Sequence, residues 1–118
     1  MIEQNELLQS IIEGIQEKKG KNICAIQLKG ISGAICDYFV ICEGNTPTQV
    51  SALADSIEEI VKKNIHEGPL RVHGQQQAEW IGMDYGNVIV HIFLPELRTF
   101  YNIDTLWEDA KSELIPSL

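Results

Sequence analysis

Residues 78–94, AEWIGMDYGNVIVHIFL, decide the fold. Two runs rich in apolar and β-branched residues, 78–85 and 87–94, flank Tyr85-Gly86-Asn87. A turn dipeptide between two such runs is the signature of a β-hairpin. Asp84 stands where its carboxylate reaches the backbone N–H two residues on, the geometry of an Asx turn. Period-two alternation puts Trp80, Gly82 and Asp84 on one face and Ile81, Met83 and Tyr85 on the other. The second set is apolar and is expected to point inward. The first sets a large aromatic beside a residue with no side chain, followed by a carboxylate. Trp80 therefore reads in two ways: as an exposed binding anchor beside an acid, or as a tryptophan packed under a helix while Asp84 only shapes the turn.

Downstream, Pro95 stops the second strand and Glu96–Tyr101 reads as a short helix. Arg98 and Tyr101, three apart, share one helix face; Leu97 and Phe100 are expected to face the core. The bland reading of Arg98 is a surface pair with Glu96 or Glu108, worth under about 1 kcal/mol. Asn102 or Asp104 is placed to cap a further helix containing Leu106, Trp107, Ala110 and Leu114, before Pro116.

Upstream, Leu7, Leu8, Ile11, Ile12 and Ile15 fall at helical spacing within residues 4–19, and Gly20 follows. Residues 22–28 and 37–43 read as strands. The second is nearly continuous in apolar residues from Tyr38 to Cys42, as in a central strand covered on both faces. Thr46-Pro47-Thr48-Gln49 opens a helix: Thr46 caps, Pro47 suits the first turn, and Gln49 reaches back. Its apolar stripe runs from Val50 to Val61, and residues 70–73 fit a short strand. The order α-β-β-α-β-β-β-α predicts an α/β fold in one layered domain, residues 1–118, with a mixed sheet of about five strands flanked by helices.

The 118 residues carry a net charge of −8 and are 44% hydrophobic, which suits one globular domain with a single core. No basic patch of the kind that binds nucleic acid stands out. The acidic balance matches a basic partner, or serves solubility alone. No apolar run approaches the roughly 20 residues of a membrane span, and the acidic start MIEQNELLQ resembles neither a signal nor a transit peptide. The expected location is the cytoplasm. Cys24, Cys36 and Cys42 lie in apolar runs and are read as reduced, buried thiols.

Catalytic patterns are thin. His66, His73 and His91 show no metal-ligand spacing, and there is no Cys-x-x-Cys. His91 shares its face with Ile89 and Phe93, the setting of a core or edge histidine. No signature pairs a cysteine or serine with a base. Gly44-Asn45-Thr46-Pro47 at a helix start could receive an anion, but no P-loop lysine and no paired Asp-x-Asp accompany it. Glu79 and Asp84, the carboxylates nearest the hairpin, fall on opposite faces by alternation. Neither a cofactor nor a metal is expected.

The segments DYFVICEGNTPTQVSALADSI (37–57) and AEWIGMDYGNVIVHIFLPELRTFY (78–101), with Leu106-Trp107, resemble the ribosomal silencing factor family, also called Iojap-like or RsfS. The combination of Trp, Asp-Tyr-Gly, Val-His, Arg-x-x-Tyr and Leu-Trp is specific, and the resemblance spans nearly the whole chain. It departs at His73-Gly74 and at Tyr101–Asp104. It implies a non-enzymatic domain of nucleotidyltransferase-like topology, often a homodimer. It further implies binding to the large ribosomal subunit through its fourteenth protein, sterically blocking the small subunit and lowering translation when nutrients are short. Trp80, Asp84, Tyr85, His91, Arg98 and Tyr101 match the family pattern and are implied as partner-binding or interface-supporting residues. The alternatives from other classes are a nucleotidyltransferase-like enzyme and a structural dimer module with another partner.

Overall fold

Two capped helices form one layer. The computed structural model describes residues 5–31, 33–105 and 110–117. Asn5 caps helix α1 (Glu6–Glu17) by accepting the Leu8 N–H at 3.1 Å, and the stripe Leu7, Leu8, Ile11 and Ile15 is buried. Thr46 caps helix α2 (Pro47–Ile65), its hydroxyl accepting the Gln49 N–H at 3.1 Å. The Gln49 side-chain oxygen reaches back to the Asn45 N–H at 2.8 Å, one residue before the cap. Helix α2 ends where His66 adopts a left-handed conformation, φ 57°. The two helices approach closely because Gly14 has no side chain: a Cβ there would lie 2.7 Å from the Ile57 Cα. The Ser56 hydroxyl donates to the Gly14 carbonyl at 2.8 Å across the same contact.

The second layer is a six-stranded mixed sheet, ordered β3-β4-β5-β2-β1-β6. Its strands are β1 (Lys21–Gln27), β2 (Tyr38–Glu43), β3 (Arg71–His73), β4 (Trp80–Asp84), β5 (Val88–Phe93) and β6 (Lys111–Ile115). β2 and β5 pair in parallel from Tyr38↔Val88 to Glu43↔Phe93; the other neighbours are antiparallel. The hairpin forms as its sequence predicts: Asp84 Oδ1 accepts the Gly86 N–H at 2.7 Å, and Gly86 has φ 90°.

Expectation and structure part at the C-terminal end. Residues 111–115 form β6, antiparallel to β1 from Ile23↔Ile115 to Gln27↔Lys111, where a helix reaching Leu114 was expected. The sheet thereby gains a sixth strand. The apolar spacing that resembles a helix face is overridden by pairing with the open edge of β1, which also turns Ile115 onto the core. Asn102 does not start a helix. In a left-handed conformation (φ 51°) it closes helix α3 (Pro95–Tyr101), its N–H donating to the Arg98 carbonyl at 2.8 Å. A 3-10 turn, Ile103–Thr105, follows. Leu106 and Trp107 lie outside the described residues.

The sheet's two faces differ. Ile23, Ala25, Val40, Cys42, Ile81, Met83, Val90 and Ile92 meet the stripes of α1 and α2 in the main core. Cys24, Ile26, Phe39, Ile41 and Phe93 form a thinner cluster on the other face, partly covered by Leu97 of α3, Ile103 of the 3-10 turn, and Ile31, Ala34 and Cys36 of the loop between β1 and β2. That cover stops short of β3, β4 and the outer side of β5, leaving part of this face open to solvent. No helix among the described residues is long and apolar enough to cross a membrane.

Gly14 gives this layering a direct test. Alanine ordinarily favours a helix over glycine by about 1 kcal/mol. Here Gly14→Ala is expected to lower the stability instead, by about 2 kcal/mol, read as an earlier urea midpoint with an unchanged slope. A later midpoint would show that the close approach of α1 and α2 is dispensable.

Candidate docking surface

The open face is built around Trp80, which projects from the first position of β4. Its cross-strand partner is Phe93, and Gly82 faces His91. The indole stacks on the buried Phe93 ring (centroids 4.8 Å, interplanar angle 27°) and meets Tyr101 of α3 at 4.7 Å. Tyr101 contacts Phe100 edge-on at 5.0 Å. The four rings form a ladder from core to solvent, from fully buried Phe93 through half-buried Trp80 to Tyr101 at 48% and Phe100 at 76% exposure. Phe100 was expected in the core. The α3 register gives that place to Leu97, which packs on the second cluster, and turns Phe100 outward.

His91 orients the indole. The Trp80 Nε1–H donates to His91 Nδ1 at 3.2 Å, and Phe39 packs edge-on against the imidazole at 4.9 Å. The ring proton therefore sits on Nε2, which is buried and has no hydrogen-bond partner among the described residues. Burial pushes the imidazole down to about 4, although the Asp104 carboxylate pulls the other way.

Trp80 is a ridge between two hollows. On one side lies a groove of about 480 Å³ lined by Arg71, His73, Gly74, Gly82, Asp84, Ile89 and His91. Arg71 and Asp84 pair across its rim at 3.7 Å. A side chain at Gly82 would meet nothing within 4 Å, so the groove runs over bare backbone. On the other side a hollow of about 230 Å³ is lined by Gly74, Gln77, Glu79, Leu97 and Tyr101. Gly74 makes this arrangement possible: it has φ 86°, and a Cβ there would collide with the Trp80 carbonyl oxygen.

Arg98 holds α3 in place. Its Nε and Nη2 donate to the two Asp104 carboxylate oxygens at 3.2 and 2.7 Å. Its Nη1 donates to Glu43 Oε2 at 3.0 Å and to the Asn22 carbonyl. At 13% side-chain exposure the guanidinium is a tie between α3 and the β1–β2 end of the sheet, not the surface pair with Glu96 that spacing offered.

Of the six expected residues, the structure gathers Trp80, His91 and Tyr101 in mutual or shared contact and sets Asp84 across the groove from Trp80. Arg98 stands behind them. Tyr85 does not join them: it is buried on the helix-covered face, as alternation predicts, with burial pushing its hydroxyl well above the usual range. Glu79 is not among the six. It lines the smaller hollow while Asp84 lines the groove on the other side of Trp80, and its carbonyl accepts the Leu94 N–H at 2.9 Å, continuing the β4–β5 ladder by one residue. Its acidity and its place next to Trp80 in the sequence were the available signal.

The chemistry these groups offer is that of contact and hydrogen bonding. Among the described residues no group of three or more His, Cys, Asp and Glu is placed to hold a metal ion. Burial pushes the Cys36 and Cys42 thiols up to about 11 and about 12, so both stay protonated near neutrality. The N-terminus of α2 has turned its own Thr46 and Gln49 side chains onto the local N–H groups that an anion would use.

Comparison with known proteins places this chain in a family. The model of the family described as ribosomal silencing factor during starvation matches residues 1–118. The chain belongs to the ribosomal silencing factor family. It is 39% identical over 105 residues to the ribosomal silencing factor RsfS of Halalkalibacterium halodurans, covering 89% of this chain and 88% of that one. A crystal structure of a Chromobacterium violaceum protein superposes with a TM-score of 0.83 at 28% identity, covering 98% of this chain and 95% of that one. A more distant relative, the Mus musculus protein named mitochondrial assembly of ribosomal large subunit protein 1, is 25% identical over 82% of this chain and 43% of its own length.

The His91–Trp80 contact predicts a pH dependence. The folded-state value near 4 lies below the unfolded value of 6.5, so the unfolded chain binds more protons between them. Stability is then full above about pH 6.5 and falls as the pH drops toward 4. The His91 share of that loss is about 2 kcal/mol between pH 7 and pH 5. Denaturant titrations of wild type and His91→Phe at the two pH values should differ by that amount, the wild type losing more. Equal losses would remove His91 as the titrating group.

Proposed function

We propose that this chain represses translation by docking its Trp80 face on the large ribosomal subunit, through that subunit's fourteenth protein. By occupying the place where the small subunit must bind, it prevents subunit joining and lowers protein synthesis when nutrients are short. The observation that carries this reading is the aromatic ladder standing on a part of the sheet that no described helix covers. Half-buried aromatics beside a groove are how protein interfaces place their anchors. The family's description as silencing factors in starvation supports the outcome, and the mouse relative's name supports the large subunit as the object. The work is done by occupancy in the cytoplasm and needs no catalytic group.

Within this reading Trp80, Tyr101 and Asp84 meet the partner, His91 and Arg98 hold them in position, and Tyr85 supports the hairpin from behind. Trp80 is the anchor: it is the largest ring of the ladder, and it separates the two hollows that partner side chains can fill. A net charge of −8 favours encounter with a basic protein.

Sedimentation of the purified protein with isolated large subunits tests the proposal. Wild type is expected to travel with free large subunits and not with joined ribosomes. Trp80→Ala should weaken the association by about thirtyfold, the cost of about 2 kcal/mol for an interface anchor, while circular dichroism shows the fold retained. Wild-type binding should also weaken as salt rises through physiological strength. Unchanged sedimentation of Trp80→Ala would remove this face as the docking surface.

A further inference from the structure

The smaller hollow beside Trp80 has a chemistry of its own. Two of its walls are aromatic, the Trp80 indole and the Tyr101 ring, inclined at 42° to each other. Leu97 supplies an apolar wall, and Gln77 and Glu79 close the rim. Glu79 is exposed, and no described residue gives its carboxylate a hydrogen bond or a counter-charge. The nearby acids differ from it in this respect: Asp104 and Glu43 share the guanidinium of Arg98, and Asp84 is paired with Arg71. A carboxylate with no described partner thus sits at the mouth of a hollow walled in part by aromatic rings.

From this arrangement we infer that the hollow between Trp80 and α3 is a socket for an arginine side chain of the partner protein. A guanidinium suits both parts of it. Its flat face lies along the exposed Tyr101 ring beside the indole, and its N–H edge presents a fork to a carboxylate. A slot of about 230 Å³ is of side-chain size and too small for a helix or strand. The same charge argues against nucleic acid at this point, because a phosphate would meet the Glu79 carboxylate with no cation of the hollow to balance it. Where the ribosome offers both protein and RNA, this corner selects protein. Glu79 is then a specificity-determining residue, and the larger groove, with Arg71 and His73 as donors, takes the partner's acceptor groups.

The inference rests on the docking reading above, and the test separates the two. Binding of purified large subunits is measured as a function of salt for wild type, Glu79→Gln, Glu79→Lys, Tyr101→Leu and Trp80→Ala. The socket predicts that Glu79→Gln weakens binding about tenfold and flattens its salt dependence, and that Glu79→Lys weakens it further. Tyr101→Leu should weaken binding while leaving the salt dependence as in wild type. The Glu79 variants should keep the wild-type melting temperature, since the side chain holds no described partner. If both Glu79 variants bind within about twofold of wild type while Trp80→Ala fails, the docking reading stands and the arginine socket is wrong. If wild type does not bind, or Trp80→Ala binds as wild type does, the docking reading fails and the socket falls with it.

Discussion

The parallel pairing of β2 with β5 is the constraint on which the rest depends. Parallel neighbours cannot be joined by a tight turn, so the chain must leave β2, cross a face of the sheet and return. Helix α2 makes that crossing, and α1 packs beside it through the Gly14 contact, so both helices lie on the same face. The β4–β5 hairpin then has one side against the helices and the other with nothing assigned to cover it. The open aromatic face follows from where the single parallel pair sits in an otherwise antiparallel sheet.

Helix α3 is too short to make a second roof, and its placement is controlled by polar contacts more than by burial. Its seven residues include none that is fully buried. What fixes it is Arg98, whose guanidinium reaches Asp104 beyond the helix, Glu43 on β2 and the Asn22 carbonyl on β1. A largely buried cation with several acceptors is expensive to leave unpaired, so the geometry is strongly specified. The consequence reaches Trp80: Tyr101 lies one helical turn after Arg98, and its ring rests against the indole only while that tie holds. Gly74 acts from the other side, where the lack of a side chain lets the 74–78 turn close over the Trp80 backbone.

Much of this was legible because it depends on local rules. The cap of α2, the Asp84 turn and the alternation of Ile81, Met83 and Tyr85 all depend on residues within four positions of one another. Three things escaped for the opposite reason. β6 exists because β1 has a free edge ninety residues away in sequence, and no periodicity within 106–115 reveals that. Arg98 finds its partners on β1 and β2, so spacing along its own helix pointed only to Glu96 and Glu108. Glu79 was passed over because the hollow it lines is closed by Leu97 and Tyr101 of α3, which the chain reaches only after the β4–β5 hairpin. The family resemblance singled out six residues, but whether each lies at the surface, behind it or on the opposite face was a question only the tertiary structure could answer.

A neutral histidine stands at the centre of this face. A surface that works by being covered must lose its water when the partner arrives, and the free-energy cost of that loss depends on charge. A protonated imidazole at position 91 would bring a cation into the middle of the contact. It would also turn Nδ1 from acceptor to donor, setting it against the Trp80 indole N–H. Burial between Phe39 and Trp80 keeps the ring neutral well below physiological pH. The charges this face does carry, Arg71, Asp84 and Glu79, stand at its rims, where water remains close and pairing costs little. Apolar rings and a neutral imidazole at the centre with charged groups at the edge are the arrangement the proposed docking requires, and here it arises where no described helix covers the sheet.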